Sequence, residues 1–235
     1  GSEGNCFSVL TNPETKDKKS LRTNAIIAKA SIIDPELMTT MPKNVLASVG
    51  FDALAHNMEA YVSKAGQPLS DIESFYGIKS LAENLPKVYN DPTNLEAWDK
   101  VTLASTLGGM VINVAGVTAP HGMEHPVSGL HDVVHGKGLA ALTPIIVEKS
   151  WKSDIEKYND ISKLIGGSSA KNCADAIRSF LEKINLNVTL GELGVKEKDV
   201  EWMSENCMKV SKPSIINHPR EFTLEEIKNI YYEAL

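Results

Sequence analysis

The stretch KNVLASVGFDALAHNMEAYVS, residues 43–63, decides the class of fold. Its apolar side chains recur at intervals of three and four residues, which is the period of one face of an α-helix. These side chains are Val45, Leu46, Val49, Ala53, Leu54, Met58 and Tyr61. The stretch therefore predicts a long helix with one buried face, and it marks the point at which the sequence becomes helical.

Helical patterns continue to the end of the chain. Five further segments favour helices: 94–115, 137–150, 153–165, 169–184 and 198–210. Capping-box spacings at Ser70-x-x-Glu73 and Thr223-x-x-Glu226 predict two more helix starts, near Pro68 and near the carboxyl end. We therefore predict a multi-helix domain over residues 43–235.

The most apolar stretch, Leu107–Ala119, is shorter than the roughly 20 residues that cross a bilayer. It predicts a buried helix and no membrane span. Because Gly108 and Gly109 lack side chains, another backbone can approach this helix closely.

Residues 1–42 differ from the rest. The runs FSVL, AIIA and SIIDP are β-branched or aromatic, and the NPETKDKK segment between Leu10 and Leu21 favours a hairpin loop. Two or three strands are marginal without partners. We therefore expect a short β segment whose strands either pack on the helices or are the edge strands of an α/β domain outside this sequence. The predicted fold class is mainly α, with this segment preceding the helical domain.

Charge and cysteine content exclude several functional classes. Lys and Arg number 24 against 30 Asp and Glu, so the chain lacks the basic stripe that nucleic-acid binding requires. Its three cysteines form no C-x-x-C motif and no secretory signal precedes them, which argues against a disulfide framework or a cysteine zinc site. We expect a cytoplasmic protein with no nucleic-acid or membrane partner.

Clustered histidines are the strongest chemical signal. Four of the six lie in HGMEHPVSGLHDVVHG, residues 121–136. A fifth, His56, follows Asp52 by four residues, so both side chains would point from one face of a helix. Imidazole and carboxylate groups together suit iron, zinc, manganese or cobalt. The pattern predicts a divalent-metal site.

Two other interpretations stay open at this point. His121-x-x-Glu124-His125 matches the H-x-x-E-H motif of inverted zinc peptidases, in which the histidines bind zinc and the glutamate activates water. Against that motif, Gly122 and Pro126 disfavour the regular helix on which it lies, and the other candidate ligands would have no role. A helical metal-binding module without catalysis is the second alternative.

The motifs resemble those of the iron-containing alcohol dehydrogenases. The matching segments are GSE (1–3), FSVLTNPETKDKK (7–19), IDPELMTTMP (33–42), GFDALAHNMEAYVS (50–63), HGMEHPVSG (121–129), HGKGLA (135–140) and NHPREFT (217–223). The resemblance implies that four residues hold one divalent ion: Asp52, His56, His121 and His135. Fe²⁺ is the first expectation for this ion, and Zn²⁺ is the second.

The same resemblance implies further roles. His125 would lie beside the nicotinamide and the substrate and would relay a proton. Lys18 would approach the cofactor, NAD or NADP, while Phe7 and Val9 would lie on the strand that lines its nicotinamide end. The remaining histidines, at 131 and 218, are expected to be structural.

The implied reaction is hydride transfer between a small alcohol or aldehyde and NAD or NADP. An alcohol gives up hydride readily only as its alkoxide, and a Lewis acid with an open coordination position stabilises that negative oxygen. Family members are longer and carry a glycine-rich pyrophosphate turn that is missing from this sequence. We therefore expect a homo-oligomeric catalytic portion that binds metal and has low activity by itself.

Overall fold

The structure, a computed structural model, describes residues 1–235. One β-hairpin precedes ten α-helices, so the mainly α fold class is confirmed. The strands are β1 (Phe7–Thr11) and β2 (Lys18–Arg22). The helices are α1 (Lys43–Val62), α2 (Pro68–Asn90), α3 (Leu95–Ala115), α4 (Ala119–His131), α5 (His135–Ser150), α6 (Ile155–Leu164), α7 (Cys173–Lys183), α8 (Val200–Val210), α9 (Lys212–Asn217) and α10 (Leu224–Ala234).

The hairpin presents one face to the helical domain. Its antiparallel register sets Phe7 opposite Arg22, Val9 opposite Ser20 and Thr11 opposite Lys18. Because side chains alternate along a strand, Phe7, Val9 and Lys18 share one face. Leu10 and Leu21 lie on the opposite face and are exposed.

Strand predictions were right only for FSVL. AIIA contributes to a 3-10 turn at Asn24–Ile26, and SIIDP forms no strand. The second strand is instead KKSLR, part of which lies in the segment predicted to be a loop. It is stabilised by backbone pairing with β1, and its mostly exposed side chains give no apolar pattern to recognise.

Both predicted helix starts exist, but one is capped differently. In α10, Thr223 Oγ1 accepts from the Glu226 N–H and the Glu226 carboxylate accepts from the Thr223 N–H, at 3.2 and 2.9 Å. In α2, Ser70 is not the N-cap, because Gln67 occupies that position. Ser70 lies inside the first turn, where its hydroxyl oxygen accepts from the Gln67 N–H at 2.9 Å.

The apolar stretch at 107–119 is interrupted. α3 ends at Ala115, and Gly116 follows with φ of +70°, a conformation that favours glycine. The expected close approach occurs at Gly109, where an added Cβ would overlap the Gly1 carbonyl of the amino-terminal segment. No single helix is both long and apolar enough to span a membrane; α3 and α4 pass that test only as a pair bent by 103°.

Helix α4 was not predicted, because Gly122 and Pro126 were expected to prevent it. Proline at position 126 removes the N–H that would pair with the Gly122 carbonyl. That carbonyl instead accepts from the Cys207 thiol of α8, with 3.3 Å between sulfur and oxygen. A contact from a distant helix therefore satisfies the group that proline leaves free.

Two apolar cores meet at helix α5. The first core joins α1, α2, α3, α6 and α7, and the second joins α4, α8, α9 and α10. α5 supplies Leu139 and Val147 to the first core, and Leu142 and Ile146 to the second. The seam between the cores therefore brings α1, α4 and α5 together.

Candidate metal centre

Three helices bring the four predicted metal ligands together at this seam. Asp52 and His56 lie one turn apart on α1, His121 is in the first turn of α4, and His135 is the first residue of α5. Glycine at position 136 allows the start of α5, and with it His135, to lie close to α1, because any Cβ on residue 136 would overlap the Ser48 carbonyl of α1.

The ligand atoms of these residues converge on one carboxylate oxygen. Asp52 Oδ1 lies 3.6 Å from His56 Nε2, 3.3 Å from His121 Nε2 and 3.7 Å from His135 Nε2. Atoms bound to one tetrahedral ion at roughly 2.0–2.2 Å are about 3.4 Å apart. The spacing of Asp52, His56 and His121 therefore fits a single divalent ion, and His135 Nε2 lies at a comparable distance from Asp52 Oδ1. His135 also lies close enough to Glu124 and His125 for those three to share an ion.

Unpaired buried atoms support the same fit. Asp52 Oδ1 and His121 Nε2 are buried, and neither has a hydrogen-bond partner. Leaving such groups unsatisfied is costly, so each one needs a specific explanation. A cation between them would satisfy both at once.

Two buried glutamates contact the Nδ1 atoms of His121 and His135, on the side of each imidazole ring away from Nε2. Glu59 Oε1 lies 2.6 Å from His121 Nδ1, while Glu59 Oε2 accepts from the Thr118 N–H at 2.6 Å, just before α4. Glu124 Oε2 pairs with His135 Nδ1. A carboxylate that accepts the Nδ1 proton leaves Nε2 with a free lone pair for a metal.

Charges within the cluster shift its titration. Burial opposes ionisation of Asp52, but His56 and the other imidazoles hold the pKa of its carboxyl well below the usual range. Burial lowers the pKa of His56 to about 4, so this imidazole is neutral at neutral pH. Burial also opposes protonation of His121, but Glu59 and Asp52 together raise its pKa to about 10. Without a metal this imidazole is therefore protonated at neutral pH, and a cation bound at Nε2 would displace that proton.

His125 stands beside the four-residue group. Its ring centroid lies 5.8 Å from that of His135 and 6.3 Å from that of His121. Burial, reinforced by the positive neighbours His121 and Lys18, lowers the pKa of His125 well below its ordinary value. The ring is therefore neutral at neutral pH and lines the cleft described next.

A cleft of about 1720 Å³ opens onto the cluster. Phe7 and Val9 line it from the hairpin, and the Arg22 guanidinium lies 5.3 Å from the centroid of the Phe7 ring. Lys18 also lines the cleft, but its ammonium points to the base of the cluster, 2.7 Å from Ser128 Oγ.

Comparison with known proteins places the chain in a family. Residues 46–235 match the model described as the Fe-containing alcohol dehydrogenase family, C-terminal. The chain belongs to the iron-containing alcohol dehydrogenases. The resemblance predicted from the sequence motifs is thereby confirmed.

Individual members of the family match over the whole chain. The chain is 33% identical to a 1,3-propanediol dehydrogenase of Klebsiella pneumoniae, covering 99% of this chain and 62% of that protein. It is 29% identical to an NAD-dependent methanol dehydrogenase of Bacillus methanolicus, covering 100% and 63%. The chain thus spans less than two thirds of the length of these relatives.

Solved structures of iron-containing alcohol dehydrogenases have the same fold. A 1,3-propanediol oxidoreductase superimposes with a TM-score of 0.91 at 34% identity, covering 99% of this chain and 63% of that one. The enzyme from Thermococcus thioreducens superimposes with a TM-score of 0.88 at 30% identity, covering 99% and 61%.

The H-x-x-E-H interpretation does not fit this family or this site. The argument that Gly122 and Pro126 disfavour a helix at this motif was wrong, since the motif lies in α4. The Glu124 side chain, however, is fully buried and bound to His135 and Ser128, so it does not face the atoms around Asp52 Oδ1. It lacks the access to water that a general base of that type needs.

The other two histidines lie outside the cluster. His131 Nε2 is 3.0 Å from an Asp199 carboxylate oxygen, and His218 Nε2 is 2.8 Å from Ser150 Oγ. The sequence interpretation missed Glu59 and Ser128. A signal for Glu59 existed, because it follows Asp52 by seven residues and so lies on the same face of α1.

Proposed function

We propose that this chain forms the metal centre of an NAD- or NADP-dependent alcohol dehydrogenase acting on a small alcohol or aldehyde. Asp52, His56, His121 and His135 would hold one divalent ion, Fe²⁺ in the first place or Zn²⁺. The observation that carries the proposal is the convergence of three Nε2 atoms on Asp52 Oδ1 at 3.3–3.7 Å.

The protein groups would prepare this centre in two ways. Glu59 and Glu124 pair with the Nδ1 atoms of their histidines and so direct Nε2 inward. Asp52 supplies the only carboxylate among the four ligands, which leaves a divalent site with a net positive charge. A bound divalent ion would supply the Lewis acidity that stabilises an alkoxide oxygen.

His125 would move the proton that the alcohol loses. Its ring is neutral at neutral pH and lies at the cleft, so one nitrogen can accept a proton while the other releases one. Phe7 and Val9 would line the nicotinamide end of the cofactor site, and Lys18 would approach the cofactor from the same face of the hairpin.

We also propose a setting for the enzyme. Its three cysteines are free and buried, as expected in a reducing, cytoplasmic environment. The net charge of -6 favours no nucleic-acid partner. Assembly into homo-oligomers is expected.

Elemental analysis of untagged protein purified anaerobically tests the proposal. We expect close to one iron or zinc ion per chain in the parent and loss of that ion in His121→Ala, because His121 is almost fully buried and supplies one of four ligands. Any slow reduction of butanal by NADH or NADPH should disappear together with the ion.

His131→Gln is the matched control, since it removes a histidine of α4 that lies outside the cluster. It should keep the parent's metal content. A parent without metal, or an ion retained in His121→Ala, would contradict the proposal.

A further inference from the structure

Glu124 is a buried acid surrounded by groups that donate to one of its oxygens. Its Oε2 pairs with His135 Nδ1 and accepts from the Ser128 hydroxyl at 3.2 Å. Lys18 Nζ lies 3.5 Å from the same oxygen. The side chain of Glu124 is completely inaccessible to solvent.

Lys18 reaches this acid from another part of the chain. It lies on β2, 106 positions before Glu124 in the sequence, yet only 15% of its side chain is exposed. Its ammonium donates to Ser128 Oγ at 2.7 Å, and Ser128 in turn donates to Glu124. Lys18 Nζ also lies 3.4 Å from His135 Nδ1, so Lys18, Ser128 and Glu124 form a closed arrangement on the Nδ1 side of the His135 ring.

We propose that Lys18 and Glu124 act as one pair of positioning residues, which fixes the ring of His135 so that its Nε2 faces the metal centre. The inference rests on the proposed function, because it concerns how one of the proposed ligands is held. It gives Lys18 a role in metal binding in addition to the expected approach to the cofactor.

The physical argument concerns charge and ring orientation. A buried carboxylate is costly unless it is paired with a charge and hydrogen-bonded. Oε2 of Glu124 has three partners, among which Lys18 is the cation, whereas Oε1 has no partner. Because Glu124 Oε2 lies against His135 Nδ1, it can accept the Nδ1 proton and so fix both the tautomer and the rotation of the ring. Without Lys18, the acid would be buried beside the cluster uncompensated.

Contacts of the hairpin with α4 and α8 explain why the Lys18 ammonium lies close to Glu124. Asp17, its neighbour, is buried and accepts from the Asn206 amide of α8 at 2.7 Å. The Lys16 carbonyl sits against Gly129 of α4, where an added Cβ would overlap it. The base of β2 is therefore attached to two helices of the second core.

Titration of the metal-free chain with Co²⁺ tests the inference, using the visible spectrum of the bound ion. We expect Glu124→Gln and Lys18→Met each to weaken Co²⁺ binding by about 10- to 100-fold, the range typical of lost orienting partners. The double variant should bind little more weakly than either single variant, because the two residues act as one pair. Lys18→Arg should recover part of the affinity.

A second readout separates positioning from a general loss of structure. In the zinc form, the imidazole ¹⁵N signals of His135 should show a proton on Nδ1 in the parent and a changed Nδ1 signal in Glu124→Gln. Lys19→Met is the matched control, since the side chain of Lys19 is 62% exposed and pairs only with Asp17. It should bind Co²⁺ as the parent does.

Each outcome has a distinct meaning. If the parent binds Co²⁺ and Lys18→Met and Glu124→Gln bind it equally well, the positioning role is wrong and the proposed metal centre stands. If the single losses add fully in the double variant, the two residues do not act as a pair. If the folded parent binds no Co²⁺, the proposed function and this inference both fail.

Discussion

His218 shows how a single buried residue ties stability to pH. Its side chain is almost inaccessible, with Nε2 2.8 Å from Ser150 Oγ and Nδ1 unpaired. Burial lowers the pKa of His218 to about 3, against about 6.5 in an unfolded chain. As pH falls below 6.5, His218 therefore becomes protonated in the unfolded chain but stays neutral in the folded chain. The free energy of unfolding consequently decreases until about pH 3, where His218 becomes protonated in the folded chain as well.

Replacing His218 by glutamine should remove this contribution. Each pH unit between 6.5 and 3 costs the parent about 1.4 kcal/mol through His218, so the parent should lose about 2 kcal/mol relative to His218→Gln between pH 7 and pH 5. Urea unfolding at these two pH values measures the difference. His131→Gln is the control, and parallel pH profiles for parent and His218→Gln would show that the buried imidazole titrates normally.

At the scale of elements, the packing of the hairpin against α4 should affect the affinity of the proposed site for metal. Gly129 is the contact point, because a methyl group there would overlap the Lys16 carbonyl. Gly129→Ala should lift the hairpin and withdraw Lys18 from Ser128 and Glu124, although every polar side chain is still present. Co²⁺ affinity should fall by about 10-fold, at the lower end of the range for lost orienting contacts.

The control for this change is Glu14→Ala, at the exposed tip of the same hairpin. Its backbone makes local turn contacts with Asn12, and the substitution leaves the contact at Gly129 intact. Unchanged Co²⁺ binding in Gly129→Ala, with a normal unfolding transition, would mean that Lys18 finds its place without this close contact.

The same elements show which parts of the fold could be predicted from sequence. That α1 is a helix was predictable, because its apolar spacing and its ligand spacing are local properties of residues 43–62. The prediction of a single buried face was wrong: α1 packs against α2, α3 and α5, so it is buried on most sides, and Val45 and Val49 of the predicted face are exposed. α4 was not, because the carbonyl that Pro126 leaves free is satisfied by Cys207, far away in sequence. β2 was not, because its side chains are mostly exposed and its partner strand, not its own pattern, defines it.

For the site, the four proposed ligands followed from spacing and resemblance, whereas their supports did not. Glu59 and Glu124 become partners of His121 and His135 only when α1, α4 and α5 pack together. Glu124 is the instructive case. The local motif suggested a base for water, and the packing instead turned the carboxylate away from the cleft and onto the back of His135.

Across the whole molecule, the proposed metal ligands lie where the two cores meet. Asp52 and His56 belong to a helix of the first core, His121 to a helix of the second, and His135 to the helix that both share. An ion bound by all four would link the cores directly. Binding to the folded state alone would also raise the free energy of unfolding, because ligand binding shifts the equilibrium away from the unfolded chain.

The outer face of the hairpin should determine how whole molecules associate. Leu10 and Leu21 are diagonal neighbours on the face opposite to Phe7, Val9 and Lys18, and they are 62% and 53% exposed. An uncovered apolar face beside free strand edges favours self-association. The chain should therefore show a sedimentation coefficient that rises with concentration.

The double variant Leu10→Ser/Leu21→Ser should reduce that association in sedimentation velocity runs at matched concentrations. Its Co²⁺ affinity should match the parent's, because both side chains point away from the cleft. Leu69→Ser on α2 is the control, since it removes a leucine that is 76% exposed, more than either hairpin leucine, from the helical domain. If Leu69→Ser reduces association and the hairpin variant does not, the molecules associate through the helical domain and not through the exposed strands.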